Sequence, residues 1–151
     1  MDVRCAFLNG KPNTKLYIKC PTGYLGHPGS EGFWLNKSLY GLKQSPHCWN
    51  KALKETLGSV GLQPTNTDPC FFTSSSSIKP MWLCVHVDGL VFRGNWNQKF
   101  KTKIKKSFDM ENIGPVKYAL GIRITQNNTG IQLIQYKLIA QILGKFKIEC
   151  P

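Results

Sequence analysis

The stretch that decides the fold is CVHVDGLVF, Cys84 to Phe92. It sets one carboxylate, Asp88, in a run of apolar and β-branched residues and follows it at once with Gly89. Such runs favour extended backbone. Asp-Gly between two of them is a strong hairpin signal, because glycine takes the positive φ that a tight turn demands. Asp88 therefore reads as a turn residue. That is the reading local evidence favours; because a carboxylate among apolar side chains is costly unless it is paired or bound to a cation, the alternative is half of a metal site whose other half lies elsewhere in the chain.

Upstream of this stretch, DPCFFT (Asp68 to Thr73) and MWLCVHV (Met81 to Val87) flank the low-complexity piece TSSSS, Thr73 to Ser77, with Pro80 nearby. The two runs pair as antiparallel strands across that loop, and the second continues through Asp88-Gly89 into LVFRG. Earlier still, Ser45-Pro46 opens HCWNKALKETLGSVG, with Trp49, Leu53, Leu57 and Val60 at helical spacing and Gly61 as a stop. Downstream, NQKFKTKIKKSF places Phe100, Ile104 and Phe108 on one helical face and lysines on the rest, a solvated basic face. VKYALGIRI reads as a plain strand and GIQLIQ as another, divided by Asn127-Asn128-Thr129-Gly130, and YKLIAQILGKF closes the pattern as a helix. The order strand, loop, helix, hairpin, helix, hairpin, helix argues for an α+β domain with helices on one face of an antiparallel sheet.

Composition bounds the rest. At 151 residues the chain is about one domain, with neither an internal repeat nor a long linker. Lys and Arg total 20 against 8 Asp and Glu, a net charge of +12, which favours a polyanionic partner, either nucleic acid or an acidic membrane surface. No run approaches the roughly 18 to 20 apolar residues of a membrane span, and MDVRCAFLNGK has no basic segment leading into an apolar core. The expectation is an intracellular protein that is not secreted, so the N-x-[ST] matches at Asn36 and Asn127 carry no weight. The six cysteines are spread without a C-x-x-C pair and read as reduced thiols; His47, Cys48, Cys84 and His86 are suitable zinc ligands at an unspecific spacing.

Of the eight acidic residues, only Asp2 and Asp88 lie in apolar, strand-like runs, DVRCAFL and CVHVDGL. Two such strands side by side would bring two carboxylates together, where mutual repulsion favours a divalent cation.

The blocks MDVRCAFLNG, WLNKSLYGLKQSPHCWN, DPCFF, VHVDGLVF, FDMENIGPVKYALGIRI and GIQLIQYKLIAQILGKF follow one another in this order. Together they resemble the reverse transcriptase, an RNA-directed DNA polymerase, of Ty1/copia-type LTR retrotransposons. The resemblance implies one partial domain over residues 1–151: a polymerase palm over residues 1–126, with its end and the start of a thumb over about 127–151. It implies catalytic metal ligands at Asp2 and Asp88, and two Mg²⁺ ions that activate the primer 3′-hydroxyl and hold the incoming triphosphate. It places the backbone amides of Cys5 and Ala6 at the triphosphate and Phe7 under the nucleotide sugar, where the ring excludes a ribose 2′-hydroxyl. Lys43 and Gln44 fall in the block lining the nucleotide and template, and Leu120-Gly121 match the primer-grip turn. The implied partners are a template-primer of RNA or DNA, a deoxynucleoside triphosphate and other parts of a retroelement polyprotein; the implied location is cytoplasmic and particle-associated.

Departures from that pattern carry information. Gly89 stands where the family has a second aspartate, His86 where it has tyrosine, His47 where arginine is usual, Ala119 where phenylalanine is usual and Glu111 where lysine is common. Losing one of three carboxylates leaves less charge to hold two dications, and imidazole is a poor magnesium ligand. Family members also carry a fingers segment upstream and RNase H downstream, so the expectation is a truncated, catalytically impaired copy. The alternative is a non-catalytic, basic nucleic-acid-binding remnant.

Overall fold

The computed structural model of the chain describes residues 1–24, 32–74, 80–94 and 98–148. Ser75, Ser76 and Ser77 of the expected loop, Asn97 at the expected start of the second helix, and Cys150 lie outside the described residues. The chain divides into two compact units, Met1–Asn112 and Ile113–Pro151.

The first unit contains β1 (Asp2–Val3), a 3₁₀ turn (Ala6–Asn9), β2 (Tyr17–Lys19), β3 (Gly32–Trp34), α1 (Ser45–Gly58), β4 (Leu62–Pro64), β5 (Phe71–Ser74), β6 (Met81–His86), β7 (Gly89–Gly94), α2 (Gln98–Ser107) and β8 (Met110–Glu111). Six strands form one antiparallel sheet in the order β4-β5-β6-β7-β1-β8. The expected pairing of DPCFFT with MWLCVHV is present, with Phe71 opposite Cys84 and Thr73 opposite Trp82. Alternation sends Phe72, Leu83, Val85, Leu90, Val3 and Met110 to one face. There they form a single buried cluster with Trp49, Leu53 and Leu57 of α1 and with Phe100, Ile104 and Phe108 beside them. Both helices of this unit therefore cover the same face of the sheet.

Burial, not capping, holds α1. Gln44 at its N-cap makes no side-chain hydrogen bond, and Pro46 sits in the first turn. A missing cap costs about 1 kcal/mol, whereas each fully buried leucine stabilises by roughly 1.5–3 kcal/mol, and Leu53 and Leu57 are both fully buried. α2 follows the expected pattern, with Phe100 and Ile104 inward and Lys103, Lys105 and Lys106 exposed.

The β6–β7 turn departs from expectation in one respect. His86 pairs with Gly89, so the two residues between strands are Val87 and Asp88, and Gly89 is the first residue of β7. The left-handed residue is Val87, with φ +54°; Gly89 is not among the residues of positive φ. The Asp-Gly pair thus sits one position later than the hairpin rule assumed. Periodicity also missed β2, β3, β4 and β8, which span only two or three residues each.

The second unit contains β9 (Tyr118–Ala119), β10 (Ile122–Asn127), β11 (Gly130–Ile134) and α3 (Tyr136–Phe146), with the strands in a three-stranded antiparallel sheet of order β11-β10-β9. VKYALGIRI is therefore not one strand. Leu120 and Gly121, at φ +52° and +79°, make a two-residue turn closed by Ala119 and Ile122, which is the pair of positive φ values that a type I′ hairpin requires. The Asn127 side chain caps the next turn, its Oδ1 accepting from the Gly130 amide at 2.8 Å and the Thr129 hydroxyl at 2.7 Å. Among the described residues no helix is long and apolar enough to cross a membrane.

Candidate active site

The turn carrying Asp88 is anchored at two points. The buried Trp49 indole N–H, delivered by α1, donates to the Val87 carbonyl at 2.6 Å. The Asp88 carbonyl accepts from the Val3 amide at 2.9 Å, which ties the turn to the strand that holds Asp2. A β-branched residue at positive φ is an uncommon, strained conformation, and the Trp49 bond holds it. Trp49 is in turn fixed edge-on against Phe108, with ring centroids 5.0 Å apart.

Strand register sets what lies beside Asp2. His86 opposes Gly89, Gly89 opposes Asp2, and Asp2 opposes Glu111, one row across β6, β7, β1 and β8. The strand neighbours Val85, Leu90, Val3 and Met110 are all buried in the core, so the row lies on the face turned away from the helices. Opposed Cβ atoms in such a row stand about 4.5–5.5 Å apart. A side chain at position 89 would stand directly beside Asp2. A Cβ built on Gly89 meets only the His86 carbonyl oxygen, at 3.5 Å, an ordinary contact. Neither backbone conformation nor space requires glycine at this position.

On its other side Asp2 faces Glu111, whose carboxylate takes Arg4 Nη2 at 3.4 Å, while Arg4 Nη1 lies 4.0 Å from Asp109. These groups are well exposed, so the ion pairs contribute little to stability. Further along the same outer face, Phe71, Trp82, Cys84, Val91 and Arg93 line a shallow apolar depression. Burial pushes the Cys84 thiol above its ordinary pKa, with smaller contributions from Asp68 and Cys70.

Directly after β1 the chain enters the left-handed region at Cys5, φ +51°, and turns into the 3₁₀ segment. Leu8 and Gly10 donate to the Cys5 and Phe7 carbonyls, but the Cys5 and Ala6 amides precede these bonds and donate to no protein acceptor among the described residues. Leading amides of a helical turn are free donors for an anion or water. Cys5 is exposed, Ala6 fully buried and Phe7 half-buried against the core. Gly10 lets this segment lie against α1, since a Cβ there would come within 2.8 Å of the Cys48 backbone and the Ser38 hydroxyl.

The first unit therefore brings Asp2, Asp88, Gly89 and the Cys5–Phe7 turn together on adjoining backbone. Lys43 and Gln44 are exposed at the start of α1, and His47 is exposed in its first turn. Leu120 and Gly121 form their turn in the second unit. Among the described residues no group of three or more His, Cys, Asp or Glu side chains is placed to hold a metal ion, the imagined zinc quartet included. Asp2 and Asp88 supply hard oxygen donors, the chemistry that Mg²⁺ takes, but a pair is a sparse set for two ions. Sequence reasoning missed Ser38 and Tyr40, and saw Ser45 only as the opening of a helix and Trp49 only as one of its apolar residues. Its sole signal was small hydroxyls and a ring concentrated in SLYGLKQS.

The family described as reverse transcriptase (RNA-dependent DNA polymerase) matches residues 1–150. The chain is 33% identical over 156 residues to the retrovirus-related Pol polyprotein from transposon TNT 1-94 of Nicotiana tabacum, covering 99% of this chain and 12% of the polyprotein. It is 31% identical over 154 residues to the putative transposon Ty5-1 protein of Saccharomyces cerevisiae, covering 99% of this chain and 50% of that protein. The Pol polyprotein from transposon RE1 of Arabidopsis thaliana is 27% identical over 149 residues, covering 96% of this chain and 10% of that polyprotein. No solved structure gives a significant match. The chain spans half or less of each of these relatives, and it belongs to the reverse transcriptase family, as a segment related to copia-type transposon Pol polyproteins.

Proposed function

We propose that this chain is the palm of an RNA-directed DNA polymerase over residues 1–126, running over about 127–151 into the start of a thumb, and that its catalysis is impaired at position 89. The observation that carries the reading is the row that sets Gly89 directly opposite Asp2. Asp2 and Asp88 are the residues that would hold Mg²⁺, which when bound lowers the pKa of the primer hydroxyl and offsets charge on the phosphates. The Cys5 and Ala6 amides would orient the triphosphate of an incoming deoxynucleotide, and the Phe7 ring would sit under its sugar. Lys43 and Gln44 would line the nucleotide and template side, and the Leu120-Gly121 turn would grip the primer strand.

Position 89 governs the rate under this reading. A carboxylate there would add a third oxygen donor beside Asp2, and its absence removes charge stabilisation of a kind that typically costs about two to three powers of ten in rate. Primer extension on an RNA template with Mg²⁺ tests this directly. The native chain is expected to give no product, and Gly89→Asp a Mg²⁺-dependent product. Processive synthesis by the native chain would overturn the impairment. If Gly89→Asp stays silent, His86 and His47 become the next lesions to revert.

A second reading, a non-catalytic nucleic-acid-binding remnant, is favoured by the net charge of +12. Binding to duplex or hybrid should weaken steeply with salt under both readings. Retained binding in a Gly89→Asp variant that also fails to bind Mg²⁺ would favour the remnant.

A further inference from the structure

Phe7 does not stand alone. The Tyr40 ring lies against it, with centroids 4.5 Å apart and planes inclined by 50°. The backbone on both sides of that contact is bonded in place. Ser38, fully buried, donates its hydroxyl to the Phe7 carbonyl, with the Gly10 carbonyl 3.3 Å from the same oxygen, and its amide donates to the Gly10 carbonyl at 2.9 Å. The Leu39 carbonyl accepts from the fully buried Ser45 hydroxyl and from the Leu42 amide. Tyr40 is therefore presented from a segment pinned to the 3₁₀ turn on one side and to the start of α1 on the other. Tyr40 is 54% exposed, so core burial does not account for its position.

We infer that Tyr40 is a positioning residue that braces the Phe7 ring and so sets how strongly the site refuses a nucleotide with a 2′-hydroxyl. The inference rests on the reading of Phe7 as the residue beneath the sugar. Exclusion by a ring works only if the ring cannot swing aside. Phe7 is only half-buried, packed on one side against the core, so the core restrains part of the ring and the Tyr40 contact restrains the rest. A tilted aromatic pair supplies that restraint at an energy matching a three- to tenfold change in selectivity.

The test is equilibrium binding of dATP and of ATP to the full chain in magnesium chloride, by titration calorimetry, with thermal melts confirming that each variant is folded. The native chain is expected to favour dATP. Tyr40→Phe keeps that preference. Tyr40→Ala, and Tyr40→Leu as a variant that retains apolar bulk, should lower it about three- to tenfold, chiefly by tightening ATP. Phe7→Val is the control for the underlying reading. If Phe7→Val lowers the preference and the Tyr40 variants leave it unchanged, or weaken both nucleotides equally, bracing by Tyr40 is wrong while the role of Phe7 stands. If Phe7→Val changes nothing, or neither nucleotide binds, the role of Phe7 falls and the inference with it.

Discussion

Two tight hairpins, one in each unit, place side-chain-bearing residues in the left-handed region and manage the cost differently. At Leu120-Gly121 both central residues have positive φ, the glycine takes one of them freely, and Leu120 is 65% exposed. At Val87-Asp88 no glycine helps, and a β-branched residue adopts φ +54°. That turn is held by the Trp49 indole from within and by the Val3 amide from the neighbouring strand. In the Leu120-Gly121 hairpin glycine relieves one of the two positions, and the residue left in the left-handed region is not β-branched. The Val87-Asp88 turn contradicts local rules and is over-determined by its surroundings, the usual condition for strain at a functional position.

The largest expected effect comes from removing the support. Trp49→Ala empties a buried aromatic site and orphans the Val87 carbonyl, and should cost about 3–5 kcal/mol by denaturant titration. Trp49→Phe keeps most of the packing and loses only the donor, so about 1–3 kcal/mol is expected. If Trp49→Phe were neutral, the turn would be held by packing alone and the contrast between the hairpins would lose its basis. Relieving the left-handed residue should act in the opposite direction. Val87→Gly and Leu120→Gly should each stabilise by about 1 kcal/mol, with the β-branched residue gaining more. A destabilising Val87→Gly would show that the Val87 side chain, 41% exposed, contributes more than its backbone costs.

A smaller effect is expected at Gly89→Asp, where the new side chain meets no steric conflict. Placing a like charge opposite Asp2 should cost about 0.2–1 kcal/mol in the absence of divalent ions. Millimolar Mg²⁺ should recover that loss, because a ligand bound only by the folded state stabilises it. Melting curves with and without MgCl₂ check this, and a Mg²⁺-insensitive variant would sink the proposed site. The smallest effect concerns Cys84. Its raised pKa leaves less thiolate at pH 8, so alkylation should run slower than for a free thiol and accelerate only at higher pH. The linkage has the matching sign. Below the ordinary thiol pKa both states are protonated and nothing is lost; above it the unfolded chain ionises first and stability falls.

Much of the first unit was legible because its signals are periodic. Trp49, Leu53 and Leu57 recur at helical spacing, and alternation in MWLCVHV sends Leu83 and Val85 inward. The short strands β2, β3, β4 and β8 were not legible, since two or three residues carry no periodicity and such strands gain their identity only from their neighbours. The Leu120-Gly121 turn was visible only through the family resemblance, because leucine is a poor predictor of positive φ. The same limit hid Val87, where the local rule assigned the special conformation to the adjacent glycine. Site residues in apolar runs, Asp2 and Asp88, stood out by composition. Ser38 and Tyr40 did not, because neither a hydrogen bond to a distant carbonyl nor a contact with a distant ring leaves any spacing in the sequence.

The placement of β1 has a consequence in time. Asp2 precedes both of its strand neighbours by most of the unit: the Met1 amine bonds to Leu90, 89 residues on, and Arg4 reaches Glu111, 107 residues on. At translation rates of about 5–20 residues per second, β1 waits roughly 5–20 seconds before both flanking strands have been made. Closing such distant contacts is the slow part of folding. The β6–β7 hairpin is therefore available before β1 joins its edge, whereas the row that runs from His86 through Asp2 to Glu111 is complete only once β8 has been made.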